Sequence, residues 1–159
     1  MSSVDAPEAV ISRRVVVNAS PATLFDLLAD PGRHGELDGS GTVQAVVSGP
    51  SRLGLGDRFS VGMRLGPVPY RITSVVTDFS ENARLEWRHP VGHRWRWEFV
   101  ELGPELTQVT ESWDYRDGRG RRFLEFAGYP RKNADGISQT LEKLRSRFAT
   151  DTDPRTGPG

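Results

Sequence analysis

The sequence predicts an α+β domain: a curved antiparallel β-sheet of about seven strands wrapped around a long C-terminal α-helix, with one or two short helices after the first strand. Three observations carry this. From residue 41 to 117 apolar and polar side chains alternate with period two, the mark of strands with one buried and one wet face. From residue 130 onward the apolar spacing changes to steps of three and four, the mark of an amphipathic helix. Helical signals are confined to the two ends, so helices and strands are segregated along the chain. A sheet with one apolar face needs a cover, and the final helix is the only long element available.

The first strand is expected over 9–18 and ends in the β-branched run Val15-Val16-Val17. A helix follows: Ser20 can cap it, Pro21 suits its first position, and Leu24, Phe25, Leu27 and Leu28 give it an apolar face. Asp30-Pro31-Gly32 stops it, and a short second helix is expected over 31–37. Then come strands in which Phe59, Val61 and Met63, Tyr70, Ile72 and Val76, Leu85, Trp87 and His89, Trp95, Trp97 and Phe99, and Val109, Glu111, Trp113 and Tyr115 share one parity. Ser80-Glu81-Asn82, Pro90-Val91-Gly92 and Gly103-Pro104-Glu105 separate them as hairpin turns. Ala134, Ile137, Leu141, Leu144 and Phe148 form the stripe of the final helix, expected over 130–149, with Gly136 inside it. Residues 1–8 read as a flexible tail, 9–149 as one domain, and 150–159, which lacks any apolar residue, as a disordered tail.

Composition narrows the function classes. The 159 residues suffice for one real core, and no run approaches the ~20 apolar residues of a membrane span. The opening Met1–Glu8 has neither a basic n-region nor an apolar h-region, so no secretory signal is read there and a cytoplasmic location is the default. Absence of Cys excludes disulfides, thiolate metal sites and Cys nucleophiles. Lys+Arg and Asp+Glu are both 21, and this balance argues against a nucleic-acid partner. Gly54-Leu55-Gly56 lacks a third glycine and a following helix, so it is not a nucleotide-binding fingerprint. Neither a metal nor a nucleotide cofactor is expected.

Several local motifs resemble the START-like (SRPBCC) superfamily, its polyketide cyclase/dehydrase branch in particular. They are the Val17–Pro31 strand-to-helix segment, Gly56-Asp57-Arg58-Phe59 as a strand entry, the Val75–Trp87 hairpin, Trp97-Glu98-Phe99 followed by Thr107–Glu111, and Ile137–Leu144 in the closing helix. The resemblance spans residues 10–149 and implies the helix-grip fold with a ligand cavity between sheet and final helix. It implies no particular catalytic residue, because the superfamily spans lipid and hormone carriers, polyketide cyclases and partner-binding modules. One departure stands out: Gly32-Arg33-His34-Gly35-Glu36-Leu37-Asp38-Gly39 is glycine-rich and has no Trp where the family commonly places one.

The candidate site follows from parity. Phe59, Met63, Tyr70, Trp87, His89, Trp95, Trp97, Phe99, Val109, Trp113 and Tyr115 are expected on the concave face, with Ile137 and Leu141 of the helix and Phe126 closing over them. Aromatic walls with a few polar groups are typical of small-molecule pockets, and Trp-rich walls suit planar ligands. Each of these residues is equally an ordinary core residue. Glu111 falls inward between Val109 and Trp113, where burial can tune a carboxyl for acid/base work; a structural ion pair is the alternative. His89 and His93 flank one turn and are expected close together. His34, Arg119, Arg121, Phe123 and Tyr129 are expected to form a gate at the mouth. Arg84, Arg88, Arg94 and Arg96 are expected outside, paired with Glu86 and Glu98.

Three functions compete. The first is binding of a small hydrophobic or aromatic molecule. The second is a cyclase or dehydratase of polyketide-like substrates with Glu111 as its acid/base group. The third is a protein-interaction module without ligand. Exposed sheet edges would permit a homodimer.

Overall fold

The computed structural model describes residues 2–3, 8–37 and 43–149. Its elements are β1 (Ser2–Ser3), β2 (Val10–Val17), α1 (Pro21–Ala29), a 3-10 turn (Pro31–Arg33), α2 (His34–Leu37), β3 (Val43–Ser48), β4 (Arg58–Leu65), β5 (Val68–Ser80), β6 (Arg84–Arg88), β7 (Arg94–Gly103), β8 (Leu106–Asp114), α3 (Arg121–Phe126) and α4 (Tyr129–Arg147). The strands form one antiparallel sheet in the order β1-β2-β8-β7-β6-β5-β4-β3. It is a meander from β3 to β8 whose last strand returns to pair with β2, Val15 opposite Val109.

The strand count exceeds the expectation by one because Ser2–Ser3, inside the expected N-terminal tail, pairs with Arg13–Arg14. Helix α3 lies outside the expected elements, since its six residues fully bury no side chain and leave no apolar periodicity to read. Asp38, Gly39 and the 150–159 segment lie outside the described residues.

Local chemistry sets the helix that follows β2. The Ser20 hydroxyl accepts from the Thr23 backbone N–H at 3.2 Å, and Pro21 occupies the first turn. Leu24, Phe25, Leu27 and Leu28 are thereby turned inward and buried. Phe25 meets Phe79 and Phe99 edge-on, with ring centroids 5.4 and 6.0 Å apart. This closes one end of the concave face.

Helix α4 lies along β2 and touches β8. Its buried stripe is Ile137, Leu141 and Leu144, in one core with Val15, Val17 and Val109. Burying each such side chain contributes about 1.5–3 kcal/mol, so this stripe is the principal attachment of helix to sheet. Both αL residues that start the last two helices, Gly120 and Gly128, have positive φ, which fixes where the chain turns from β8 into α3 and α4.

The outer face carries a charge ladder. Glu86 accepts from the Thr77 hydroxyl at 2.9 Å and from Arg96 at 2.6 Å, while Arg96 lies 3.5 Å from Asp114. Arg116 then closes on Asp114 with two hydrogen bonds. The sequence suggests a solvated face, yet Glu86 and Asp114 are buried beneath these arginines. Burial works to raise the Asp114 pKa, but the Arg116 hydrogen bonds prevail and the net shift is downward. Arg84 turns to Asp78 at 2.9 Å rather than to Glu86 or Glu98.

Candidate functional site

Cross-strand register sets the inner wall. Trp87 stands opposite Trp95, Trp95 opposite Trp113, Leu85 opposite Trp97, and Phe99 opposite Val109. Trp97, Phe99, Val109, Trp113 and Tyr115 are buried, as are Ile137, Leu141 and Phe59 from the surrounding elements. Trp87, Trp95 and Met63 pack against this core while remaining partly exposed. The concave face is therefore covered by α1 and α4, and partly exposed along the cross-strand Trp87–Trp95 row and at Met63, which lies farther along β4.

His34 lies on this row. Its ring stacks on Trp87 at 5.1 Å with 21° between planes and meets Phe59 edge-on at 5.6 Å. Its Nε2 is 2.7 Å from the Leu28 carbonyl oxygen, so Nε2 carries the proton and donates. Burial lowers its pKa despite that bond, which keeps the ring neutral. His34, expected in a gate at the mouth, is carried by the Asp30-Pro31-Gly32 turn back over the sheet and packs on the partly exposed Trp87. The periodic pattern that revealed the strands is absent from this glycine-rich stretch, so the sequence held no signal for it.

His89 and His93 are stacked across their turn, centroids 4.1 Å apart, and His93 meets Trp113 edge-on at 5.6 Å. Burial lowers both pKa values, and the neighbouring His89 adds to the fall of His93 to about 4. Trp113 also stacks on Tyr115 at 4.4 Å. Burial raises the Tyr115 pKa, keeping its hydroxyl protonated.

Glu111 is buried at 6% exposure, in register with Trp97 on one side and Arg13 on the other. Arg13 shares the inward parity of Ile11, Val15 and Val17, and its guanidinium donates to the Ser12 carbonyl oxygen at 2.8 Å. The alternation that places Glu111 inward places Arg13 beside it in register, and that alternation, read along β2, is the signal for it.

The expected gate divides into an anchored part and an exposed part. The Arg119 N–H donates to the Val91 carbonyl oxygen at 2.8 Å, clasping the 115–120 loop to the His89–His93 turn. Arg121 reaches Glu8 at 2.8 Å and Glu125 at 3.1 Å, and lies 5.9 Å over the Tyr115 ring. Phe123 is 68% exposed and Phe126 92%, and Tyr129 is exposed beside Lys132. Phe126, expected to line the pocket, is instead exposed, because α3 packs on the core through Leu124 and turns Phe126 to solvent. Tyr70 keeps its inward register opposite Met63, but it is 42% exposed, out where the β4–β5 hairpin runs beyond the covering helices.

Two open grooves lie elsewhere, one on the outer side of α4 around Ser138 and Glu142, the other between Ser20–Ala22 and Glu101. The second is lined in part by Phe99, and neither includes Trp87 or Trp95. Among the described residues no three His, Asp or Glu side chains gather as a metal site, and no helix is long and apolar enough to cross a membrane.

Comparison with known proteins agrees with this architecture. The chain is 49% identical over 150 residues to the uncharacterized protein Rv0088 of Mycobacterium tuberculosis, covering 92% of this chain and 67% of that relative. Among solved structures it resembles the polyketide-cyclase-like protein Cgl2372 of Corynebacterium glutamicum, with a TM-score of 0.66, 18% identity, and coverage of 97% of this chain and 100% of that one. It also resembles a START superfamily protein of Mycobacterium smegmatis, with a TM-score of 0.61, 15% identity, and coverage of 87% and 96%. At these identities the likeness shows the shared helix-grip fold. The profile of the family described as polyketide cyclase / dehydrase and lipid transport matches residues 8–149, and the chain belongs to that family.

Proposed function

We propose that the protein binds a small, planar hydrophobic molecule, aromatic or polyketide-like, on the concave face between β4–β7 and the helices. The observation that carries this reading is the partly exposed cross-strand pair Trp87–Trp95, with His34 stacked on Trp87. Two half-covered indoles on an apolar face leave unburied surface that a flat ligand would cover, at about 25 cal/mol per Å². The family's range of cyclases and lipid carriers is consistent with such an occupant.

The test is titration of the purified protein with planar aromatic probes, read by tryptophan fluorescence and by native mass spectrometry. Saturable quenching that is lost in Trp87→Leu is the expected result. No saturable change with any probe, together with a mass equal to that of the bare chain, would overturn the reading.

Burial of Glu111 on the same face favours a second reading, in which the protein cyclises or dehydrates its ligand and Glu111 moves the proton. Glu111→Gln separates the two. A carrier keeps its affinity, whereas an enzyme loses turnover by about 10²-fold or more.

A further inference from the structure

The open end of the concave face holds two buried polar atoms that no protein group satisfies. The indole Nε1–H of Trp113 has no acceptor, although Trp113 is only 1% exposed. The Nδ1 of His93 is likewise buried and without a partner. The two rings touch edge-on, 5.6 Å between centroids. A buried polar group left unpaired costs about 1–3 kcal/mol, so two of them in contacting rings mark a place where a further group belongs.

The surroundings say which group. Trp113 is stacked against Tyr115 and lies beside Trp95, so its indole is bounded by aromatic rings. His93 is stacked on His89, whose Nδ1 accepts from the Val91 N–H at 3.2 Å. Gly118 of the gate loop lies against the His93 side chain, so the place sits beneath the clasped loop. Trp113 offers a donor only. A neutral His93 with its proton on Nε2 offers an acceptor at Nδ1. A group that accepts one hydrogen bond and donates another completes both, and a hydroxyl does this with a single oxygen.

Resting on the reading that the concave face binds a planar aromatic molecule, we propose that the His93–Trp113 end is a polar subsite for a hydroxyl group of that ligand. The hydroxyl oxygen accepts from Trp113 Nε1–H and its proton is donated to His93 Nδ1. The ligand class is thereby narrowed to hydroxylated aromatics, bound with the hydroxyl toward the gate and the ring system along Trp95 and Trp87.

The experiment compares 1-naphthol with 1-methylnaphthalene, which replaces the hydroxyl by a methyl group of similar size, by isothermal titration calorimetry. Both are titrated into the wild-type protein, Trp113→Phe and His93→Phe, with circular dichroism verifying the fold of each variant. The expected result is that the affinity ratio of naphthol to methylnaphthalene falls by about tenfold in each folded variant. Should Trp113→Phe fail to fold, His93→Phe alone decides. A ratio unchanged by the variants overturns the subsite, which then holds only water, and leaves the proposed ligand-binding function standing. Failure of both probes to bind the wild type overturns the function and the subsite together.

Discussion

Acidification from neutral pH should destabilise this fold through His93, and the size of the loss follows from its setting. The ring is stacked on His89 and pressed against Trp113, so burial disfavours its charged form and the adjacent imidazole adds to the effect. Its pKa falls from an ordinary 6.5 to about 4. The unfolded chain therefore binds a proton below pH 6.5 that the folded chain refuses until about pH 4. The stability is complete above 6.5 and is lost progressively as pH falls toward 4. At about 1.4 kcal/mol per pH unit that interval amounts to about 3 kcal/mol, and screening at the partly exposed ring edge brings the expectation to about 2–3 kcal/mol. His34 and His89 shift in the same direction and add to the trend.

The assay is urea unfolding followed by circular dichroism, at pH values stepped from about 7 to about 4, for the wild type and His93→Phe. Carboxylates such as Asp114 also lose stabilisation in acid, but they are common to both proteins and cancel in the difference. The stability of the wild type relative to His93→Phe should fall by about 2–3 kcal/mol over the range. A constant difference would refute the claim that His93 is held neutral by its surroundings.

Three further outcomes follow from the packing. Leu141→Ala removes a fully buried side chain from the α4 stripe and should cost about 2–5 kcal/mol in chemical denaturation; a loss under about 1 kcal/mol would mean that α4 is not the cover of the sheet. Gly92 has φ +104°, and a Cβ there would lie 2.6 Å from the Asp117 carbonyl oxygen, so Gly92→Ala should release the clasp and speed amide exchange at Arg119; unchanged exchange would remove the clasp from the account. Glu86→Ala leaves the partly buried Arg96 with only the longer contacts to Asp114 at 3.5 Å and Glu98 at 3.9 Å and should cost about 2–3 kcal/mol, while Glu86→Ala combined with Arg96→Met should recover much of it; additive losses would contradict a coupled ladder.

What the sequence made legible was whatever repeats. Period-two alternation placed Trp87, Trp97 and Trp113 on one face because each strand imposes that period on every side chain it carries. Three-four spacing placed Ile137, Leu141 and Leu144 under α4 for the same reason. The stacking of His34 on Trp87 is not legible, since it depends on a glycine-rich turn that obeys no period and on the Leu28 carbonyl oxygen that accepts its Nε2–H hydrogen bond. Parity also could not say how far the covering helices extend, and that extent is what leaves Tyr70 and Phe126 exposed while Trp97 is sealed. The outer arginines read as solvated because alternation reports only the face; lateral packing of long side chains over Glu86 and Asp114 is invisible to it.

The two ends of the concave face are chemically unlike, and this bears on how a ligand would enter. At the α1 end Phe25, Phe79 and Phe99 interlock edge-on with Leu24 and Leu28 buried beside them, so entry there would have to break the core. At the other end the wall is half covered by a loop held to the His89–His93 turn by the Arg119–Val91 hydrogen bond, with Arg121 tied to Glu8 on the exterior. Opening that end exchanges exposed polar contacts for contacts with water, which costs little. Gly118 of that loop lies beside His93, whose Nδ1 is unsatisfied, as is the Nε1–H of the adjoining Trp113. A ligand entering beneath the loop would meet its polar partners at the threshold and its aromatic partners further in, so the hydroxyl would trail and the ring would lead.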